Sequence, residues 1–281
     1  MNLTLYAGFN LNYREGGIES VIDYAKRNGF SSLEPLSVTP TVLFGDDGNV
    51  RAAAEKAAEA GLTYANYSVY ANVLTGVEDT LEYLKKNVDV AKMLGSPYLH
   101  HTIIPHLELT PEMPSFKEGL EIALKLILPL SDYAEKKGIK LLYEPQGMYF
   151  NGVKGFGELF SELKKHTDNV GVCGDVGNVM FVDEMPYDFF NEYAKYMDQV
   201  HLKNYIKSDV LGKVNNEIYH SRGGEALVEC YMTEGIIDYT PCFKALKAVN
   251  YNGGFAFECN TKDETVVAND MKLIKSKYEG A

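Results

Sequence analysis

The chain has no tryptophan, only four cysteines, few basic residues and no long apolar run, and each shortage removes a class of protein. Cys173, Cys230, Cys242 and Cys259 form no C-x-x-C pair, which argues against both a zinc knuckle and a disulfide framework. A reduced, cytoplasmic setting is expected. No run of about 18 apolar residues is present to span a bilayer. The opening stretch "MNLTLYAGFNLNYREGG" lacks a basic n-region with a long apolar h-region. The chain is therefore read as soluble and unprocessed, with no membrane partner. Lys and Arg number 27 against 39 Asp and Glu, a formal charge of −12, and no basic patch is segregated, so nucleic acid is excluded as a partner. Without tryptophan, stacking on an apolar sugar face falls to the 20 tyrosines and 13 phenylalanines, most of which must serve the core. Tyr6, Phe9, Tyr67 and Tyr70, near strand ends, are the candidates for such a rim.

What remains is an ordinary globular composition, 46% hydrophobic and 23% charged, in 281 residues. That length suits one large α/β barrel or two smaller domains. Eight short apolar runs alternate with longer amphipathic segments: "LTLYAGF", "FSSLEP", "LTYANYS", "SPYLHHTII", "IKLLYEP", "NVGVCGD", "DQVHLKN" and "GGFAFECN". Patterns such as "GIESVIDYAKRNG" and "VEDTLEYLKKNVDVAKMLG" predict helices between them, the second closed by a glycine. Repeated βα units imply a parallel sheet, and no Pro/Ser/Gly-rich linker divides the chain. The predicted fold is α/β, a single (β/α)8 TIM barrel over residues 1–281, with a long loop after the seventh strand (about 204–238) covering the mouth. Within the final unit only "TPCFKALKAVN" looks helical.

Alternate side chains of a barrel strand face inward and outward. In "IKLLYE" the apolar set Ile139, Leu141 and Tyr143 leaves Leu142 and Glu144 inside; in "VGVCGD" Val170 and Val172 leave Cys173 and Asp175. In "DQVHLK" Val200 and Leu202 leave Gln199, His201 and Lys203 inside, and in "FAFE" the two phenylalanines leave Ala256 and Glu258. Strands five to eight thus each deliver an inward polar residue near the mouth: Glu144, Asp175, His201 and Glu258. Three carboxylates around one imidazole repel one another unless a cation neutralises them. One divalent metal ion does so, and this oxygen-rich set suits Mn²⁺ best, with Mg²⁺, Co²⁺ or Zn²⁺ as alternatives. Salt bridges to Lys203 and Arg222 are the competing reading.

The motifs "LLYEP", "GVCGDVGN", "VHLKNY" and "GGFAFE", with "EGIIDYTPCFKAL" before the last strand, resemble in order and spacing the xylose-isomerase-like barrel superfamily. The branch resembled is the sugar phosphate isomerase/epimerase branch, of D-tagatose 3-epimerase and inosose dehydratase type. The resemblance covers nearly the whole chain and implies that Glu144, Asp175, His201 and Glu258 ligate one metal. It also implies that Glu144 and Glu258 exchange protons with a ketose or related polyol ketone through a cis-enediolate. That division suits a weakly acidic α-proton flanked by two carboxylates. Carbohydrate metabolism follows as the setting, a small-molecule sugar as the partner, and a homodimer or homotetramer as the usual assembly of relatives. Two departures stand out: Asn178 replaces a common histidine, and Asn204 a common aspartate.

Glu34 matches a second-strand glutamate of relatives and is assigned to substrate binding, together with His100, Lys203, Asn178 and Arg222. A barrel salt bridge is the alternative for Glu34, a satisfied core histidine for His100, charge compensation for Lys203, and a solvated loop for His220 and Arg222. His101 should face the helices, and His106 and His166 the solvent. The competing functions are an inosose-type dehydratase sharing the enediolate step and a non-catalytic sugar-binding barrel. An apurinic endonuclease would need a trinuclear cluster with several more histidines than the six present.

Overall fold

In the computed structural model, residues 1–38, 42–212, 214–215, 217–258 and 261–281 are described; Cys259 falls outside them. The barrel's staves are Asn2–Leu5, a split second stave (Ser32–Leu33 and Leu36–Ser37), a split third (Thr63–Tyr64 and Tyr67–Val69), Tyr98–His101, Lys140–Tyr143, Val170–Asp175, Met197–Leu202 and Gly254–Phe257. Every pairing among them is parallel, and the last strand pairs with the first, Asn2 against Gly254 through Leu5 against Phe257. The second and third staves pair piecewise, Ser32 with Thr63 and Leu36 with Ser68, so the ring closes through two interrupted staves. The second stave breaks at Glu34 and Pro35, and proline has no N–H to give a ladder. Each of the eight apolar runs contributes its stave.

The first stave is shorter than the run suggested. It ends at Leu5, and the helix Ala7–Asn28 starts at once, kinked at Gly16 and Gly17 where Gly17 adopts φ +67°. The extra turns are stabilised by Phe9 and Tyr13, which pack on Phe44. The other helices include Val77–Leu94, closed by left-handed Gly95, and Phe116–Lys137, opened by a Ser115/Glu118 capping box. Tyr239–Ala248 covers the "TPCFKALKAVN" pattern.

Outward residues such as Leu141, Val172, Val200 and Phe255 are buried between sheet and helices. Phe9 and Tyr67 belong to this layer and are fully buried, which removes them from the rim; Tyr67 donates its hydroxyl to Asn87 instead. The segment after the seventh stave carries a three-stranded antiparallel sheet of Asn204–Lys207, Ala226–Cys230 and Tyr219–His220, with Ala226–Cys230 central. Asn204 pins it: the amide donates to the Met232 carbonyl, and its oxygen accepts from the backbone of Tyr205 and Ile237. An aspartate there has no N–H for Met232, which gives a physical reason for the asparagine. Among the described residues no helix is long and apolar enough to cross a membrane.

Candidate metal centre and active site

The fifth to eighth staves bring Glu144, Asp175, His201 and Glu258 to the C-terminal mouth. His201 is the hub. Its Nε2 lies 2.8 Å from Glu34, while Nδ1 faces Glu144 at 3.3 Å and Glu258 at 3.9 Å. Tyr6, directly after the first stave, stacks on the ring with centroids 4.6 Å apart. Asp175 uses one oxygen to accept from the amides of Gly177 and Asn178, both at 2.7 Å, which turns the other oxygen toward the mouth. Lys203 Nζ lies 3.0 Å from that oxygen and 2.7 Å from Glu258, and donates to Asn178 Oδ1. Gly177 makes room for it: a Cβ there would sit 2.6 Å from Lys203 Cγ.

Sequence parity therefore placed the four residues correctly, and the structure adds that a lysine already sits between two of the carboxylates. The salt-bridge reading holds for Lys203 but not for Arg222. Arg222 occupies an exposed turn, donates to the Met148 carbonyl at 2.7 Å, and lines a separate cavity of about 710 Å³ with Met113, Phe116 and Lys154.

Glu34 forms a barrel salt bridge to His201, the alternative to substrate binding. It is wholly buried, and both its oxygens are engaged, by His201, Ser68 and Asn66 on one and Gln199 on the other. Burial would push its carboxyl up, yet His201 and Ser68 hold it below the ordinary range. His100 does reach the site. The Ser68 hydroxyl donates to Glu34, so its oxygen takes the Nδ1 proton of His100, whose unpartnered Nε2 points at Glu144, 3.5 Å away. Burial lowers His100, against the opposing pull of Glu144. His101 faces the helices as expected, its Nδ1 on the Thr102 carbonyl and its Nε2 on the Tyr143 hydroxyl. His106, His166 and His220 are exposed.

The two glutamates are driven apart. Burial raises Glu144, but His100, His201 and Lys203 overrule it and hold the carboxyl at about 2. Burial dominates at Glu258, where Lys203 compensates incompletely, and its carboxyl sits at about 7. Burial opposes charge on His201, but Cys173, Glu34 and Glu144 outweigh it and hold the imidazole well above its ordinary value. Lys203 is likewise raised, burial being overcome by Asp175 and Glu258.

The donor set fits a divalent ion. Glu144 Oε2, Asp175 Oδ2 and Glu258 Oε2 are buried and accept no hydrogen bond of good geometry, being met only by the charges of His201 and Lys203. Donor atoms of Asp175, His201 and Glu258 all lie within 4.8 Å of one another, as do those of Glu144, Cys173 and His201. The Glu34 bond at Nε2 fixes the tautomer that leaves Nδ1 toward the carboxylates, the usual support of a ligating histidine. Sequence reasoning offered a barrel salt bridge for Glu34 without its partner, and missed the parts played by Ser68, Asn66 and Cys173. The inward alternation of polar residues in "ANYSVY" was the available signal.

A profile of the xylose isomerase-like TIM barrel family matches residues 22–277. An inosose dehydratase of Clostridium beijerinckii is 33% identical over 161 residues, 53% of this chain and 51% of the relative, so the chain spans about half the length of that match. A D-allulose 3-epimerase of Methylomonas sp. superposes with a TM-score of 0.76 at 18% identity, covering 99% of this chain and 98% of that one. The IOLI protein, solved with a zinc atom, superposes with a TM-score of 0.73 at 15% identity over 100% and 99% of the two chains. With its closed parallel barrel and its profile match over nearly the whole length, the chain belongs to the xylose isomerase-like TIM barrel family.

Proposed function

We propose that this chain is a divalent-metal-dependent isomerase or epimerase of a ketose or related polyol ketone, with Glu144 and Glu258 as its acid–base pair. The observation that carries the reading is the convergence of these two carboxylates, three staves apart, on the same imidazole nitrogen. Glu144, Asp175, His201 and Glu258 would hold the ion, which would neutralise charge on the ketone oxygen as the α-proton leaves. The protein supplies the rest. Glu144, held low, is a standing carboxylate able to accept that proton, whereas Glu258, near 7, can hold or release one at neutral pH. His100 Nε2 offers an acceptor for a substrate hydroxyl, and Lys203 keeps the Asp175 and Glu258 carboxylates in place. Tyr6 stacks on the His201 ring and holds its plane.

A second reading, an inosose-type dehydratase, is favoured by the curated relatives, which are named inosose dehydratases. It shares proton removal beside the ketone and then expels a β-hydroxyl. The test is deuterium exchange at the α-carbon across a panel of polyhydroxy ketones, with metal content measured in parallel. Exchange that disappears with chelator and in E144Q and E258Q supports the proposal, and loss of water by mass spectrometry assigns the dehydratase. Exchange untouched by chelator, or absent with every ketone, refutes it.

A further inference from the structure

Among the groups around His201, one thiol has no place in the oxygen-rich donor set described above. Cys173 is fully buried on the inward face of the sixth stave, two residues before Asp175 and so one inward position deeper in the barrel. Its Sγ, an oxygen of Glu144 and a ring nitrogen of His201 lie within 4.8 Å of one another. Glu144 Oε2 has no hydrogen-bond partner although the side chain is 95% buried, its relative exposure being 5%. The mouth thus holds two overlapping donor sets that share His201. One, with Asp175 and Glu258, offers only carboxylate oxygens beside the imidazole; the other, with Glu144 and Cys173, offers a carboxylate and a sulfur.

Hard ions such as Mn²⁺ and Mg²⁺ favour carboxylates, whereas sulfur draws Zn²⁺ and Cd²⁺ strongly. The Lys203 ammonium, held against Asp175 and Glu258, weighs on the oxygen-only set and leaves the sulfur set to Glu144 and His201. We propose that Cys173 is a metal ligand of this chain, recruited by thiophilic divalent ions and setting the preference of the centre for zinc over manganese. The inference rests on the metal-dependent reading above and deepens it by naming the residue that selects the ion. On binding, the S–H bond is exchanged for a sulfur–metal bond, and the proton leaves to solvent.

Zinc X-ray absorption on the full chain loaded with one equivalent tests this directly. Wild type is expected to show a sulfur scatterer at roughly 2.3 Å that is lost in C173S. In competition titrations C173A should lose about tenfold or more in zinc affinity while its manganese affinity stays at the wild-type value. A shell of oxygen and nitrogen alone in wild type, a sulfur shell that survives in C173S, or equal losses for both ions overturns the assignment. If C173A or C173S fails to fold, the wild-type absorption spectrum decides. Failure of wild type to retain any divalent ion instead refutes the metal reading itself, whereas an ion bound without sulfur refutes only the role of Cys173.

Discussion

Replacing Lys203 by methionine removes the one ammonium that lies 3.0 Å from Asp175 and 2.7 Å from Glu258 while leaving a side chain of similar length. Lys203 is 7% exposed and Asp175 not at all, so water can do little for the stranded Asp175, whereas Glu258 is 27% exposed. Removing one partner of a buried ion pair typically costs about 3–5 kcal/mol. For a chain of this size each kcal/mol is worth roughly 2 °C, so K203M in chelator should melt about 6–10 °C below wild type. A divalent ion supplies positive charge to the same two carboxylates. Saturating manganese should therefore raise the melting temperature of K203M by more than it raises that of wild type. Differential scanning calorimetry with chelator and with manganese, at one pH above 7, measures both effects. Equal melting temperatures of the two proteins in chelator would refute the claim that Lys203 compensates this cluster. A manganese shift no larger in K203M than in wild type would refute the claim that ammonium and ion answer the same charges.

Other outcomes follow from the same geometry. E34Q replaces the carboxylate that holds His201 Nε2 at 2.8 Å with a neutral amide that must also choose between donor and acceptor toward Gln199, and equilibrium dialysis should show metal affinity falling by about 10–100-fold in a protein that still folds. E144Q and E258Q should each lower α-proton exchange by about 10²–10⁴-fold, read by NMR against a responsive ketone. His101 is buried and pushed from an ordinary 6.5 to about 4, so the unfolded chain binds its proton more readily than the folded one between those values. The stability it allows is complete above pH 6.5 and falls by about 3 kcal/mol (2.5 pH units at 1.36 kcal/mol each) as pH drops to 4. Urea titrations from pH 7 to 4 should show a shallower decline for H101Q. N204D sets a carboxylate against the Met232 carbonyl that the amide now bonds at 3.0 Å, and should cost about 1–3 kcal/mol in the same assay.

The barrel was legible because its signal is local. A stave alternates inward and outward with period two, so the apolar partners Leu141, Val172, Val200 and Phe255 fixed the direction of Glu144, Asp175, His201 and Glu258 before any tertiary contact was known. The interrupted staves were not legible, since "FSSLEP" and "LTYANYS" carry no mark of where their ladders break. The run "LTLYAGF" reads as a strand through Phe9, because the Phe9 and Tyr13 contacts that hold residues 7–16 helical come from Phe44, far along the chain.

Sequence by itself determined the class of fold and the inward direction of Glu144, Asp175, His201 and Glu258. Depth and partnership belong to the tertiary structure. Which inward residues meet depends on the stagger between neighbouring strands and on how far each side chain reaches, and neither is written in a single strand's alternation. That is why Glu34 is found paired with His201, Lys203 between two carboxylates, Cys173 near Glu144, and Arg222 in a cavity of its own.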